Sequence, residues 1–122
     1  MGSNGIERRM LLNQNAVCVK YNVEFSPTDF NDIVGIALES LDIENIPING
    51  LRHPIEKGTS GWYIWSGELS PAVNFFKPSH VNHLLETCPE ILDYLGLPPG
   101  WRFLIDNKGY EEVWFDKSLL LI

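Results

Sequence analysis

The sequence predicts an α+β fold: a single domain with a mainly antiparallel sheet and helices packed on one face, in the order β-α-β-α-β-β. Three observations predict it. The run Gly61-Trp62-Tyr63-Ile64-Trp65-Ser66-Gly67-Glu68 places aromatic and β-branched residues in consecutive positions between glycines, the pattern of a strand with marked ends. Phe30, Ile33, Val34, Ala37, Leu38 and Leu41 recur at helical spacing and form one apolar stripe. Near the C-terminus, two alternating runs flank a turn containing Asn107 and Gly109, which predicts a β-hairpin. The chain has 122 residues, 44% hydrophobic and 20% charged, which suits one ordered domain over residues 1–122.

Taken in order, residues 1–15 are polar and glycine-containing at their start, and are expected to be poorly ordered. Residues 16–25 put Val17, Val19, Tyr21, Val23 and Phe25 on one side and Cys18, Lys20, Asn22 and Glu24 on the other, which predicts a half-buried strand. Ser26 or Thr28 caps the following helix, Pro27 fits its first turn and Asp29 suits the positive end of the dipole. Pro47 ends any continuation, and residues 50–60 form a turn-rich approach to the aromatic strand.

In that strand Trp62 and Ile64 point one way, Tyr63 and Trp65 the other. Either both faces are covered, or one presents aromatics to a partner. Residues 67–78 make a long connection in which Phe75 and Phe76 plug a core edge. A helix opens near Ser79, is broken at Pro89 and stops at Gly96. Trp101, Phe103 and Ile105 then alternate with Arg102 and Leu104, and residues 110–115 return beside them. The apolar tail 119–122 is expected to dock.

Composition excludes several functions. A net charge of −7 repels phosphate backbones, so no nucleic-acid partner is expected. No apolar run is long enough to span a bilayer, and the patch Met10-Leu11-Leu12 is too brief for a signal peptide, so a cytoplasmic location without a membrane partner is expected. Cys18 and Cys88, the two cysteines, lack metal or redox spacing and read as buried small hydrophobes in a reducing compartment.

His80 and His83 share a helix face, but a zinc site needs further ligands such as Glu86, Cys88 or His53, and no zinc spacing is matched. Glu68, Asp106, Glu111, Glu112 and Asp116 offer carboxylates for acid–base work without any catalytic signature, and Cys88 lacks the local pattern of a nucleophile. No catalytic residue, metal site or cofactor is therefore assigned. From 89 to 116 there are six acidic residues (Glu90, Asp93, Asp106, Glu111, Glu112, Asp116) and two basic ones (Arg102, Lys108), beside Trp101, Tyr110 and Trp114. Aromatic anchors rimmed by carboxylates fit a basic protein partner; the alternative is that the tryptophans fill the core and the acids solvate an edge.

Two segments together carry a family resemblance. The run 61–68, with Phe75-Phe76-Lys77-Pro78 and His83-Leu84, resembles the first half of a bacterial domain family. Tyr94-Leu95-Gly96-Leu97-Pro98-Pro99-Gly100-Trp101-Arg102-Phe103-Leu104-Ile105 and Gly109-Tyr110-Glu111-Glu112-Val113-Trp114-Phe115-Asp116 resemble the second. The family is similar to immunity proteins of polymorphic toxin systems, group thirty-three or a close relative, first catalogued as a domain of unknown function. The match covers about residues 50–120, and Glu111-Glu112 stands where Glu-Asp is usual, a charge-preserving change.

The resemblance implies a non-enzymatic protein that binds and neutralises a cognate toxin in the cytoplasm. Its recurrent tryptophan and acidic positions map to Trp62, Trp65, Glu68, Trp101, Glu111, Glu112, Trp114 and Asp116, for folding or for binding. With Arg102 these form the expected partner surface. The competing expectation is a small-molecule-binding or hydrolytic site in the loops flanking 61–68, using His53, Glu68 or His83; a further one is a homodimer through a sheet edge.

Overall fold

The computed structural model describes residues 2–37 and 47–121. Helix α1 (Gly2–Tyr21) opens the chain, followed by strands β1 (Ile33–Ile36), β2 (Ile48–Arg52), β3 (Trp62–Ser66) and β4 (Lys77–His80). A 3-10 turn (Val81–His83) leads into the short helix α2 (Leu84–Thr87), and a second 3-10 turn (Pro89–Tyr94) leads to β5 (Trp101–Ile105), β6 (Glu111–Phe115) and a last 3-10 turn (Lys117–Leu120). The sheet has six strands in the order β4-β1-β3-β2-β5-β6. β1 and β3 run parallel; every other pairing is antiparallel. The expected α+β class and mainly antiparallel sheet hold, as do the aromatic strand, the proline break and the C-terminal hairpin.

The first third of the chain differs from expectation. Residues 16–21, read as a strand, belong to α1, which also takes in residues 2–15. The buried positions are Met10, Gln14 and Cys18, four apart, while Val19 is 70% exposed. Helical period therefore wins over the alternation of the valines. Gln14 hides that period because it is polar. It is buried because its amide stands in for a strand neighbour, donating to the Thr28 carbonyl at 3.0 Å and accepting the Thr28 N–H at 3.2 Å. Asn22 ends the helix in the left-handed region, φ 58°, with the Val23 N–H reaching back to the Cys18 carbonyl at 2.9 Å.

The helix expected from Ser26 or Thr28 onward is replaced by a loop and β1. Asp29 and Asp32 close local side-chain turns on the Asn31 and Asp29 N–H groups, and the Thr28 hydroxyl donates to the Leu95 carbonyl at 2.6 Å. These bonds compete with a helical first turn. Val34 and Ile36 then point into the core on a strand held between β3 and β4. Leu38 and Leu41, the end of the predicted stripe, lie outside the described residues. β2 likewise occupies part of the turn-rich stretch 50–60.

One face of the sheet carries α1, α2 and the 89–94 turn. Val34, Ile36, Ile48, Trp62, Ile64, Phe103 and Ile105 pack there against Met10, Cys18, Leu84, Ile91 and Leu95. Gly50 has a reason to be glycine: a Cβ there would sit 2.2 Å from the ring of Phe103, its partner across β5. The other face holds a smaller cluster, Ala37, Leu51, Trp65 and Leu119, closed by Tyr63, Phe75 and Phe76. Phe75 and Phe76 thus plug a core edge, whereas of the C-terminal tail expected to dock only Leu119 is buried among the described residues, Leu120 and Leu121 being exposed.

Candidate interaction surface

Cross-strand partners share a face of a sheet, so the register sorts the candidate residues. Leu51, Arg102 and Trp114 stand in one row, and Asn49, Leu104 and Glu112 in the next. Both rows lie on the face opposite α1, beside the Leu51–Trp65 cluster. Among the described residues no α-helix covers this part of the sheet. Arg102, Leu104 and Trp114 are half-buried and Glu112 is exposed.

The patch is organised around Arg102. Its guanidinium lies over the Trp114 ring, 5.3 Å from the centroid, and one terminal nitrogen meets Asp116 Oδ2 at 3.1 Å. Arg102 Nε is buried without a hydrogen-bond partner among the described residues. Asp116 is held in turn by the 117–120 turn, accepting from Ser118 N–H at 3.1 Å and Ser118 Oγ at 2.6 Å. Those bonds and the Arg102 pair hold its carboxyl below the usual carboxylate range. At the hairpin end, Tyr110, 50% exposed, donates its hydroxyl to Glu112 Oε1 at 2.9 Å. The result is an indole and a phenol set between carboxylates on a rigid hairpin.

The other expected surface residues lie elsewhere. Trp62 is fully buried on the helix side, its indole N–H donated to the Leu95 carbonyl at 3.0 Å. Trp65 is 3% exposed and packs edge-on to Phe76 in the opposite cluster. Side chains without exposed area offer nothing for a partner to touch, so both tryptophans support the fold. Trp101 is half-buried on the helix side and tilts onto Phe115, ring centroids 5.7 Å apart. Glu68 is exposed in the loop beyond Ser66, whose row continues through Ile48 and Ile105 to Glu111, the end of the sheet away from Asp116.

Glu111 faces α1. It accepts from Lys20 Nζ at 2.6 Å, from the Tyr94 hydroxyl at 2.6 Å and from the Tyr21 hydroxyl. Partial burial opposes its ionisation, yet the bonds from Lys20, Tyr21 and Tyr94 outweigh it and bring the carboxyl to about 2. Burial and the Glu111 carboxylate push both tyrosine hydroxyls up. This is a clasp joining α1, the 89–94 turn and β6.

Arg52 carried no sequence signal of its own and proves central. It is 1% exposed, donates from Nε to the Ser60 carbonyl at 2.9 Å and from one terminal nitrogen to the Ser26 and Leu97 carbonyls at 2.8 Å each, and stacks over Trp62. Burial lowers its pKa to about 10, which leaves it charged at neutral pH. The sole hint in the sequence was an arginine between apolar Leu51 and the aromatic run.

The residues of the competing small-molecule site do not converge on one pocket. His53 sets Nδ1 3.2 Å from the Leu119 carbonyl and meets Tyr63 edge-on, while His83 lies beside His80 in a shallow pocket with Ile33, Pro78 and Ser79. A pocket of about 320 Å³ does lie beside the 58–59 turn and Phe76, but its lining, which includes Gly35, Tyr63 and Lys77, holds no histidine or carboxylate. Among the described residues no three of His, Cys, Asp and Glu gather where a metal could bind. Burial pushes the Cys88 thiol up to about 12, and a protonated buried thiol is a poor nucleophile.

Fold and surface together define a small α+β domain whose sheet is helix-covered on one side and presents an Arg102–Trp114 stack on the other. The chain belongs to the Imm33-like domain family, whose model matches residues 13–116, from within α1 to the end of the hairpin. No curated protein and no solved structure matches it. No helix among the described residues is long and apolar enough to cross a membrane.

Proposed function

We propose that this chain is a non-enzymatic immunity protein of the cytoplasm that neutralises a cognate toxin by covering its active surface with the hairpin face. Arg102, Glu112, Trp114 and Asp116 form the contact, with Tyr110 at its rim. The observation that carries the reading is the Arg102–Trp114 stack, half-exposed on a sheet face that no described helix covers and flanked by Asp116, ion-paired with Arg102, and Glu112, bonded to Tyr110. Tryptophan, tyrosine and arginine dominate binding energy when they sit at the centre of a desolvated contact. The family's name, Imm33-like, supports a toxin as the partner. Trp62, Trp65, Trp101 and Glu111 serve the surface indirectly, by fixing the sheet beneath it.

The test is co-expression with the toxin encoded beside it. Cells carrying the unaltered chain survive. Trp114→Ala, which removes the exposed anchor without entering the helix-side core, is expected to cost roughly 2 kcal/mol of binding, or about thirty-fold in Kd, with loss of protection. Full protection and unchanged affinity in a folded Trp114→Ala chain would place the contact elsewhere.

A further inference from the structure

The sheet has two edges, and they are built differently. The β4 edge is four residues long and carries Lys77 and Pro78, devices that discourage another strand from pairing there. The β6 edge has five residues with neither lysine nor proline. The hydrogen bonds at its two ends fix which groups are free. The Asp106 N–H bonds to the Tyr110 carbonyl at 3.3 Å and the Asp116 N–H to the Gly100 carbonyl at 2.7 Å. Counting in twos, Glu112 and Trp114 turn their backbone groups toward β5, so those of Glu111, Val113 and Phe115 point outward. Among the described residues no strand pairs with them. Phe115 is 48% exposed at one end of this edge and Tyr110 lies at the other.

We propose that β6 is the contact between two copies of this chain, strand against antiparallel strand about Val113, so that the two sheets run on as one. Charge and register pick out this occupant. With Val113 opposite Val113, every outward N–H and C=O on both strands finds a partner. Glu112 then faces the second copy's Trp114, over which the Arg102 guanidinium lies, and Glu111 faces Phe115. A slip of two residues one way sets Glu112 against Glu112 and loses bonds; the other way sets Trp114 against Trp114 and loses as many. The fully bonded register is also the one without like charges opposed, which is charge complementarity of the edge with itself. The contact does not rest on the toxin reading, although Glu112 and Trp114 border both surfaces.

Sedimentation of the full chain over a wide concentration range tests it, together with amide hydrogen exchange. The mass is expected to approach twice the monomer value as concentration rises. The Glu111, Val113 and Phe115 amides should become slower with concentration while those of Glu112 and Trp114, bonded to β5 throughout, do not change. Val113→Pro removes the outward donor at the centre without touching a β5 bond and should abolish the dimer. Glu112→Arg sets two guanidinium groups together and should weaken it at least tenfold; it serves if the proline variant fails to fold. A chain that stays monomeric at its highest attainable concentration overturns the proposal. So does a dimer that survives both substitutions, or exchange at the three outward amides that ignores concentration.

Discussion

Arg52 shows how much of this fold one side chain can hold. Its donors reach carbonyls from the 22–32 loop, the turn before β3 and the segment after the 89–94 turn. None of these is regular structure, so their carbonyls have no ladder to join and depend on the guanidinium. Burying a charge costs several kcal/mol unless hydrogen bonds replace its water, and here they do. Arg52→Met keeps an unbranched apolar stem but removes the guanidinium from over Trp62 and strands the carbonyls. Unfolding in denaturant should show a loss of roughly 3–5 kcal/mol, enough to unfold a marginal domain of this size. A loss below 1 kcal/mol would mean that water satisfies those carbonyls without the arginine.

At the scale of elements, the Glu111 clasp ties α1 to the sheet edge. A carboxyl lowered to about 2 from its ordinary 4.5 adds stability that is fully present above the ordinary value and is lost as pH falls through the lower one. Lys20 is 63% exposed, so solvent screens its share, and the clasp contributes on the order of 1–2 kcal/mol. Glu111→Gln keeps an acceptor for the tyrosines and removes the charge. Its stability at neutral pH should drop by about that amount, and between pH 4.5 and 2 the gap to the unaltered chain should close. Denaturant midpoints measured across that window check both statements; parallel acid limbs would contradict them.

The same elements show what the sequence made legible. β3 and the β5–β6 hairpin are readable because their aromatics, β-branched residues and glycine turns agree with the pairing they adopt. α1 was hidden by Gln14, a polar residue at a core position whose use depends on Thr28, fourteen residues on. β2 was hidden by its own composition, since Asn49, Gly50 and Arg52 disfavour a strand in isolation. Gly50 is there for the Phe103 ring and Arg52 for distant carbonyls, and neither partner is visible locally. Four of the nine expected surface residues share one face for a related reason. Arg102, Glu112, Trp114 and Asp116 do come together, but alternation along β6 sends Glu111 to the helix side, and the interior place of β3 buries Trp62 and Trp65.

For the whole molecule, charge and surface act at different stages of binding. A net charge of −7 creates a field that reaches beyond contact distance, and for a cationic toxin of the kind proposed it would set the association rate. In the contact proposed above, dissociation would be set by the desolvated centre, the Trp114 ring beneath Arg102. The two should separate in kinetics with the cognate toxin. For the unaltered chain, raising ionic strength from about 20 to about 500 mM is expected to slow association roughly tenfold or more while leaving dissociation nearly constant. Trp114→Ala should do the reverse, speeding dissociation with association unchanged. Reversing Glu112 to lysine makes the contact two charge units less negative and should lower the salt sensitivity of association without lengthening or shortening the lifetime of the complex more than a few-fold. An association rate indifferent to salt would mean that the acidity of the chain serves solubility alone, and that whatever brings the partner to this face acts only at contact.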